Sequence, residues 1–83
     1  MSKHIDNKRI VESITSKSER FRYISECAVD DINRNILMLR YIEFKSFDYI
    51  ADTIGLSLSQ TNRRYKYALN VLAKRIIEDI KIE

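Results

Sequence analysis

Apolar side chains return every three to four positions along nearly the whole chain, and no stretch alternates with a period of two for long enough to predict a strand. Ile5, Val11 and Ile14, with Ile10 beside them, predict a short first helix. Ser16 and Glu19 have the spacing of a capping box, in which a serine hydroxyl and an acid three residues on satisfy each other's free amides. The helix they open carries Phe21, Ile24 and Cys27 or Ala28 on its stripe, and Asp30 or Asp31 either restarts or continues it. Residues 31–43 read as strongly helical, with Ile32, Ile36, Leu39 and Ile42 in register and Leu37 and Met38 widening the face.

After Phe44 and Lys45, Ser46 caps a short helix whose Phe47, Ile50, Ala51 and Ile54 point inward. Gly55 follows, the only glycine in a chain without proline. Glycine tolerates the left-handed backbone that ends a helix and turns the chain. Ser57 and Gln60 supply a second capping box, so a new helix starts there and runs to about residue 80. Its inward stripe is Thr61, Tyr65, Ala68 or Leu69, Leu72 and Ile76. The pattern predicts an all-α fold: a small helical bundle containing a helix-turn-helix.

The chain has 83 residues, enough for one domain with a thin core. An apolar fraction of 45% is ordinary for a folded protein. Net charge is +3, a weak pointer by itself, but its distribution is uneven. Residues 56–75 carry Arg63, Arg64, Lys66, Lys74 and Arg75 and no acid, whereas residues 41–55 carry Glu43, Asp48 and Asp52 against Lys45. The positive charge thus lies on the helix after the glycine, as a nucleic-acid partner requires.

The residues that form this corner resemble region 4 of bacterial sigma factors. The likeness runs through Leu39-Arg40-Tyr41-Ile42, Ser46-Phe47, Ile50-Ala51, Ile54-Gly55-Leu56-Ser57, Arg64, and Ala68-Leu69 with Leu72. The run from Leu56-Ser57 to Tyr65-Lys66-Tyr67-Ala68-Leu69-Asn70-Val71-Leu72-Ala73 is similar also to phage late-transcription regulators of the ArpU type. The resemblance covers about residues 30–77 and departs from the family in three places. Tyr49 stands where glutamate is usual, Phe44 lies near a usual glycine, and Thr61 replaces a branched apolar residue. The Thr61 hydroxyl then needs a partner such as a carbonyl one turn back. With no counterpart of the long region that reads the promoter −10 element, a self-sufficient sigma factor is not expected from these 83 residues.

What the resemblance implies is sequence-specific binding of double-stranded DNA, with the last helix in the major groove. The face opposite its apolar stripe carries Ser59, Gln60, Asn62, Arg63 and Lys66. Arg63 suits a bidentate contact to guanine, and Asn62 or Gln60 suits adenine. By resemblance, Leu58, Ser59, Asn62 and Arg63 match base-contacting positions, while Gln60, Arg64 and Lys66 are better placed for phosphate. The helix starts after Ser46 and Ser57 present free amides to phosphate, with Lys45 flanking the first.

Residues 29–83 are read as the DNA-binding domain and residues 1–28 as N-terminal helices that pack, form a dimer arm or meet a partner. Apolar surface on Leu69, Leu72, Ile76, Ile77, Ile80 and Ile82 packs either on Ile10, Val11 and Ile14 or in a homodimer that reads a palindrome. Cys27 reads as a small core residue, and His4 as a residue without a chemical role. One histidine, one cysteine and scattered acids assemble no nucleophile–base pair. Glu12, Glu19 and Glu26, spaced by seven, would share a face only on one unbroken helix. No enzyme, metal, cofactor, small-molecule substrate or membrane contact is expected, and a cytoplasmic location is. Tyr23, Tyr41 and Tyr49 are expected to fill apolar faces, Tyr65 to sit in the core, and Tyr67 to meet a sugar or phosphate. The expected function is a transcription regulator of the phage or prophage kind. The alternative is a protein-interaction module that binds RNA polymerase or a sigma or anti-sigma partner without reading DNA.

Overall fold

A computed structural model describes residues 6–81, so the expectations for His4, Ile5 and Ile82 lie outside the described residues. Five helices follow in order: α1 (Asn7–Glu12), α2 (Lys17–Glu26), α3 (Asp31–Tyr41), α4 (Phe47–Ile54) and α5 (Leu58–Lys81). Each start has a local cause. Asp6 accepts from the Lys8 amide, Ser16 from Glu19, Asp30 from Asn33 and Ser46 from Tyr49. Asp30 therefore restarts the chain rather than continuing α2. Such caps each stabilise their helix by about 1 kcal/mol. The breaks also separate Glu12 on α1 from Glu19 and Glu26 on α2, both of which pair with Arg22.

α5 is the spine of the bundle, and each of the other four helices packs against it. Val11, Ile24, Ile36, Leu37, Ile50, Leu72 and Ile76 are almost completely buried, so every helix contributes to one core. Burying each such side chain is worth about 1.5–3 kcal/mol. Thr61, Tyr65, Ala68, Leu69, Leu72 and Ile76 are all buried, as the last helix's stripe predicts, and Ala73 joins them. Ile10 and Val11 lie in this same core, whereas Ile80 is exposed.

Two faces differ from their expected register. On α2, Tyr23, Ile24 and Cys27 are buried while Phe21 is 52% exposed and Ala28 is exposed too. At about 100° per residue, Phe21 lies roughly a quarter-turn or more from the centre of the arc of Tyr23, Ile24 and Cys27 that packing buries. On α3, the buried row is Asn33, Ile36, Leu37 and Tyr41, leaving Leu39 and Ile42 half-buried and Ile32 exposed. A hydrophobic pattern passes over Asn33 because it is polar; its burial is possible because its carbonyl oxygen accepts from Arg64. Tyr41 faces the centre, where its hydroxyl bonds that of Tyr65 at 2.8 Å.

Three arginines close the joints. Arg34 donates to the carbonyl oxygens of Ile24, Ser25, Cys27 and Val29, and so holds the end of α2. Arg20 reaches the carbonyls of Ile14 and Tyr41. Arg40 donates to the Lys45 carbonyl at 2.9 Å and lies over the Phe47 ring, fixing the corner from α3 into α4. Phe44 occupies that corner with φ of +58°, the left-handed conformation for which glycine would be the ordinary choice.

Candidate nucleic-acid interface

The corner between α4 and α5 is built as its residue types require. Gly55 adopts φ 76° and ψ 32°, and both its amide and that of Leu56 donate to the Ala51 carbonyl, ending α4. The Gln60 amide donates to Ser57 Oγ at 3.0 Å, and the Ser57 amide donates to Gln60 Oε1 at 3.1 Å. This is a complete, reciprocal capping box. Thr61 is fully buried, and its hydroxyl donates to the Ser57 carbonyl at 2.9 Å, a partner one turn back. The methyl faces the core while the hydroxyl is satisfied inside its own helix.

From this anchored start one face of the first turns of α5 is open to solvent while the other is buried. Ser59, Gln60, Arg63 and Lys66 are exposed, Leu58 is 45% exposed and Asn62 is half-buried. Arg63 points along the centre of the outward arc, diametrically opposed to the Thr61–Tyr65–Leu72 stripe. Leu56, Gln60, Arg63 and Arg64 line a shallow, mostly polar cleft beside the turn.

Arg64 is different from its neighbours. Its guanidinium donates to Asn33 Oδ1 at 3.1 Å and lies 3.5 Å from a carboxylate oxygen of Asp30. It thus ties α5 to the start of α3, and a phosphate contact by Arg64 would have to share or replace these partners. Asn33 and Arg64 are 31 positions apart in the chain, and no local pattern links them. At the start of α4, Ser46 caps through the Tyr49 amide at 3.2 Å, leaving its own hydroxyl at the surface. Lys45 is half-buried, with its ammonium 4.9 Å from the centre of the Tyr49 ring. Tyr49 is itself 50% exposed, so it fills no core position, unlike Tyr23 and Tyr41. Lys45, Ser46 and Tyr49 form a second polar corner, at the start of α4.

The family described as Sigma-70, region 4 matches residues 28–74, more than half of the chain, and the chain belongs to it. The match takes in α3, α4 and the first two-thirds of α5, the elements that build the corner described above. The family is a helix-turn-helix one, typically engaged in DNA binding in transcription. Neither the curated proteins nor the solved structures yield a match to the chain. Among the described residues no helix is long and apolar enough to cross a membrane.

Proposed function

We propose that this protein binds double-stranded DNA in a sequence-dependent way and acts as a cytoplasmic transcription regulator of the phage or prophage kind. Arg63 and Asn62 read base edges, with Leu58 and Ser59 beside them in the first turn of α5. Lys66, Gln60 and the Lys45–Ser46–Ser57 corner hold the phosphates that set register. Arg64 orients the helix through Asn33 and Asp30 and contributes its charge at the edge of the groove. The observation that carries this reading is the exposed, acid-free face at the start of a helix locked in place by its own capping box. Selection of bound sites from random duplexes tests it. A recovered consensus is the expected result; bound sequences indistinguishable from the input pool overturn it.

A second reading is supported by the other side of the motif. Ile32, Met38, Leu39 and Ile54, with Asn35, Glu43 and Thr53, line a cleft of mixed apolar and polar character between α3 and α4. A protein partner, such as RNA polymerase or an anti-sigma factor, fits such a surface. Co-purification with polymerase that an Ile32→Glu variant abolishes, without any loss of DNA binding, would assign that role to this cleft.

A further inference from the structure

The outward face of α5 continues beyond its first turns. Arg63, Tyr67, Asn70 and Lys74 follow one another at spacings of four, three and four on one solvent-facing row, a run of about 16 Å. Tyr67 is 61% exposed, although the core is filled by Tyr65, Ala68 and Leu69 around it. No acid interrupts the helix before Glu78. The nearest acid on α2, Glu26, is already paired with Arg22 and Arg75. A phosphate backbone laid along this row would meet cations and an aromatic ring, with no uncompensated carboxylate until its far end.

α1 reaches the same row. Its Asn7 side chain donates to Asn70 Oδ1 at 3.3 Å, while Ile10 and Val11 anchor the helix in the core. The exposed Lys8 follows Asn7 directly, with its Cα about 3.8 Å from that of Asn7. The adjacent Asp6 carboxylate is turned onto the Lys8 backbone amide as a cap. α1 lies outside the residues that match the family, so this contact is a feature of the present chain.

We propose that the DNA-contacting surface continues along Tyr67 and Lys74 of α5 and onto Lys8 of α1, gripping the phosphate backbone of the duplex beside the bases read by the first turns. The inference rests on the DNA-binding reading above. Tyr67 packs against sugar or phosphate, and Lys8 and Lys74 neutralise one phosphate each, without adding base preference.

The test compares wild type with a Lys8→Ala/Lys74→Ala double variant on two duplexes, one carrying only the selected site and one extended by a helical turn on each side. Both lysines are exposed, and circular dichroism confirms that the variant is folded. Wild type should bind the extended duplex more tightly, and the variant should lose that advantage. Removing two phosphate contacts also flattens the salt dependence: between 50 and 200 mM salt, wild type should lose about tenfold more affinity than the variant. Base preference should be the same in both. An unchanged salt slope and length dependence in a variant that still selects the site would overturn this inference and leave the recognition helix standing. Failure of wild type to bind any duplex would overturn both.

Discussion

Arg34 offers the sharpest test of how the bundle is held. One guanidinium spans four carbonyl oxygens: Ile24 at 2.8 Å, Ser25 at 2.9 Å, Cys27 at 3.1 Å and Val29 at 2.8 Å. These include the free carbonyls of the last turn of α2, which has no basic residue of its own there. Hydrogen bonds to a charged group contribute about 1.5–3 kcal/mol each in isolation, but bonds sharing one guanidinium do not add. A cation at a helix end adds about 0.3–1 kcal/mol. Since Arg34 is half-buried, about 3 kcal/mol is the expected loss for Arg34→Ala, and about 1.5 kcal/mol for Arg34→Lys. Lysine keeps the charge and loses the fork. For a domain of this size, 3 kcal/mol lowers Tm by roughly 12–24 °C. Urea unfolding followed by helical circular dichroism measures both variants. If Arg34→Lys were as stable as wild type, the four-carbonyl clamp would be the wrong account of this joint.

Gly55 and Phe44, both left-handed, should respond in opposite directions. Gly55→Ala should cost about 1 kcal/mol from φ alone, since a Cβ there meets nothing within 4 Å. Phe44→Asn should raise stability by about 1 kcal/mol, because asparagine tolerates the conformation and Phe44 is 68% exposed; calorimetric Tm shifts of opposite sign check the pair. Stability should also fall in alkali. Burial, more than the bond to Tyr65, pushes the Tyr41 phenol up, and burial pushes the Cys27 thiol up against a smaller downward pull from Arg34. Above about pH 8.5, where unfolded cysteine and then tyrosine release protons, the native chain retains more protons than the unfolded one, so unfolding becomes easier as pH rises. Urea midpoints from pH 7 to 10.5 should decline, steepening past pH 10; a flat profile would refute the buried placement of both groups. Cys27, 3% exposed, should react with a thiol reagent only as fast as the protein unfolds, which a colorimetric time course measures.

The helical character, the glycine corner and the inward stripe of α5 were legible because each is a local matter, whereas the sequence leaves open the break between α2 and α3 at Asp30. A 3.6-residue period, a capping serine and a solitary glycine need no knowledge of distant parts of the chain. Thr61 shows how far this goes: an out-of-place hydroxyl called for a nearby carbonyl, and Ser57 provides it. Features set by contacts across the bundle were not legible. Phe21 looks like a core residue until the packing of α2 on α3 and α5 selects the buried arc, and Asn33 looks like a surface residue until Arg64 reaches it. The site divides the same way. The exposure of Arg63 follows from periodicity alone, whereas the attachment of Arg64 to Asp30 depends on how α5 crosses α3. The cations at the joints, Arg20, Arg34 and Arg40, count toward the net charge but are turned onto backbone carbonyls. Net charge was therefore a weaker guide than the location of the cations that stay exposed.

The role of the α5 face is tested most directly by fluorescence-anisotropy titration of wild type and Arg63→Ala on the best selected duplex and on its single-base variants. Arg63 is exposed at the centre of the outward arc, so its loss should leave the fold intact. The prediction is a loss of about 5- to 150-fold in affinity, corresponding to about 1–3 kcal/mol, with preference relaxed at one base pair and retained at the others. Equal affinity and an unaltered base preference in Arg63→Ala would contradict the assignment of sequence reading to this helix.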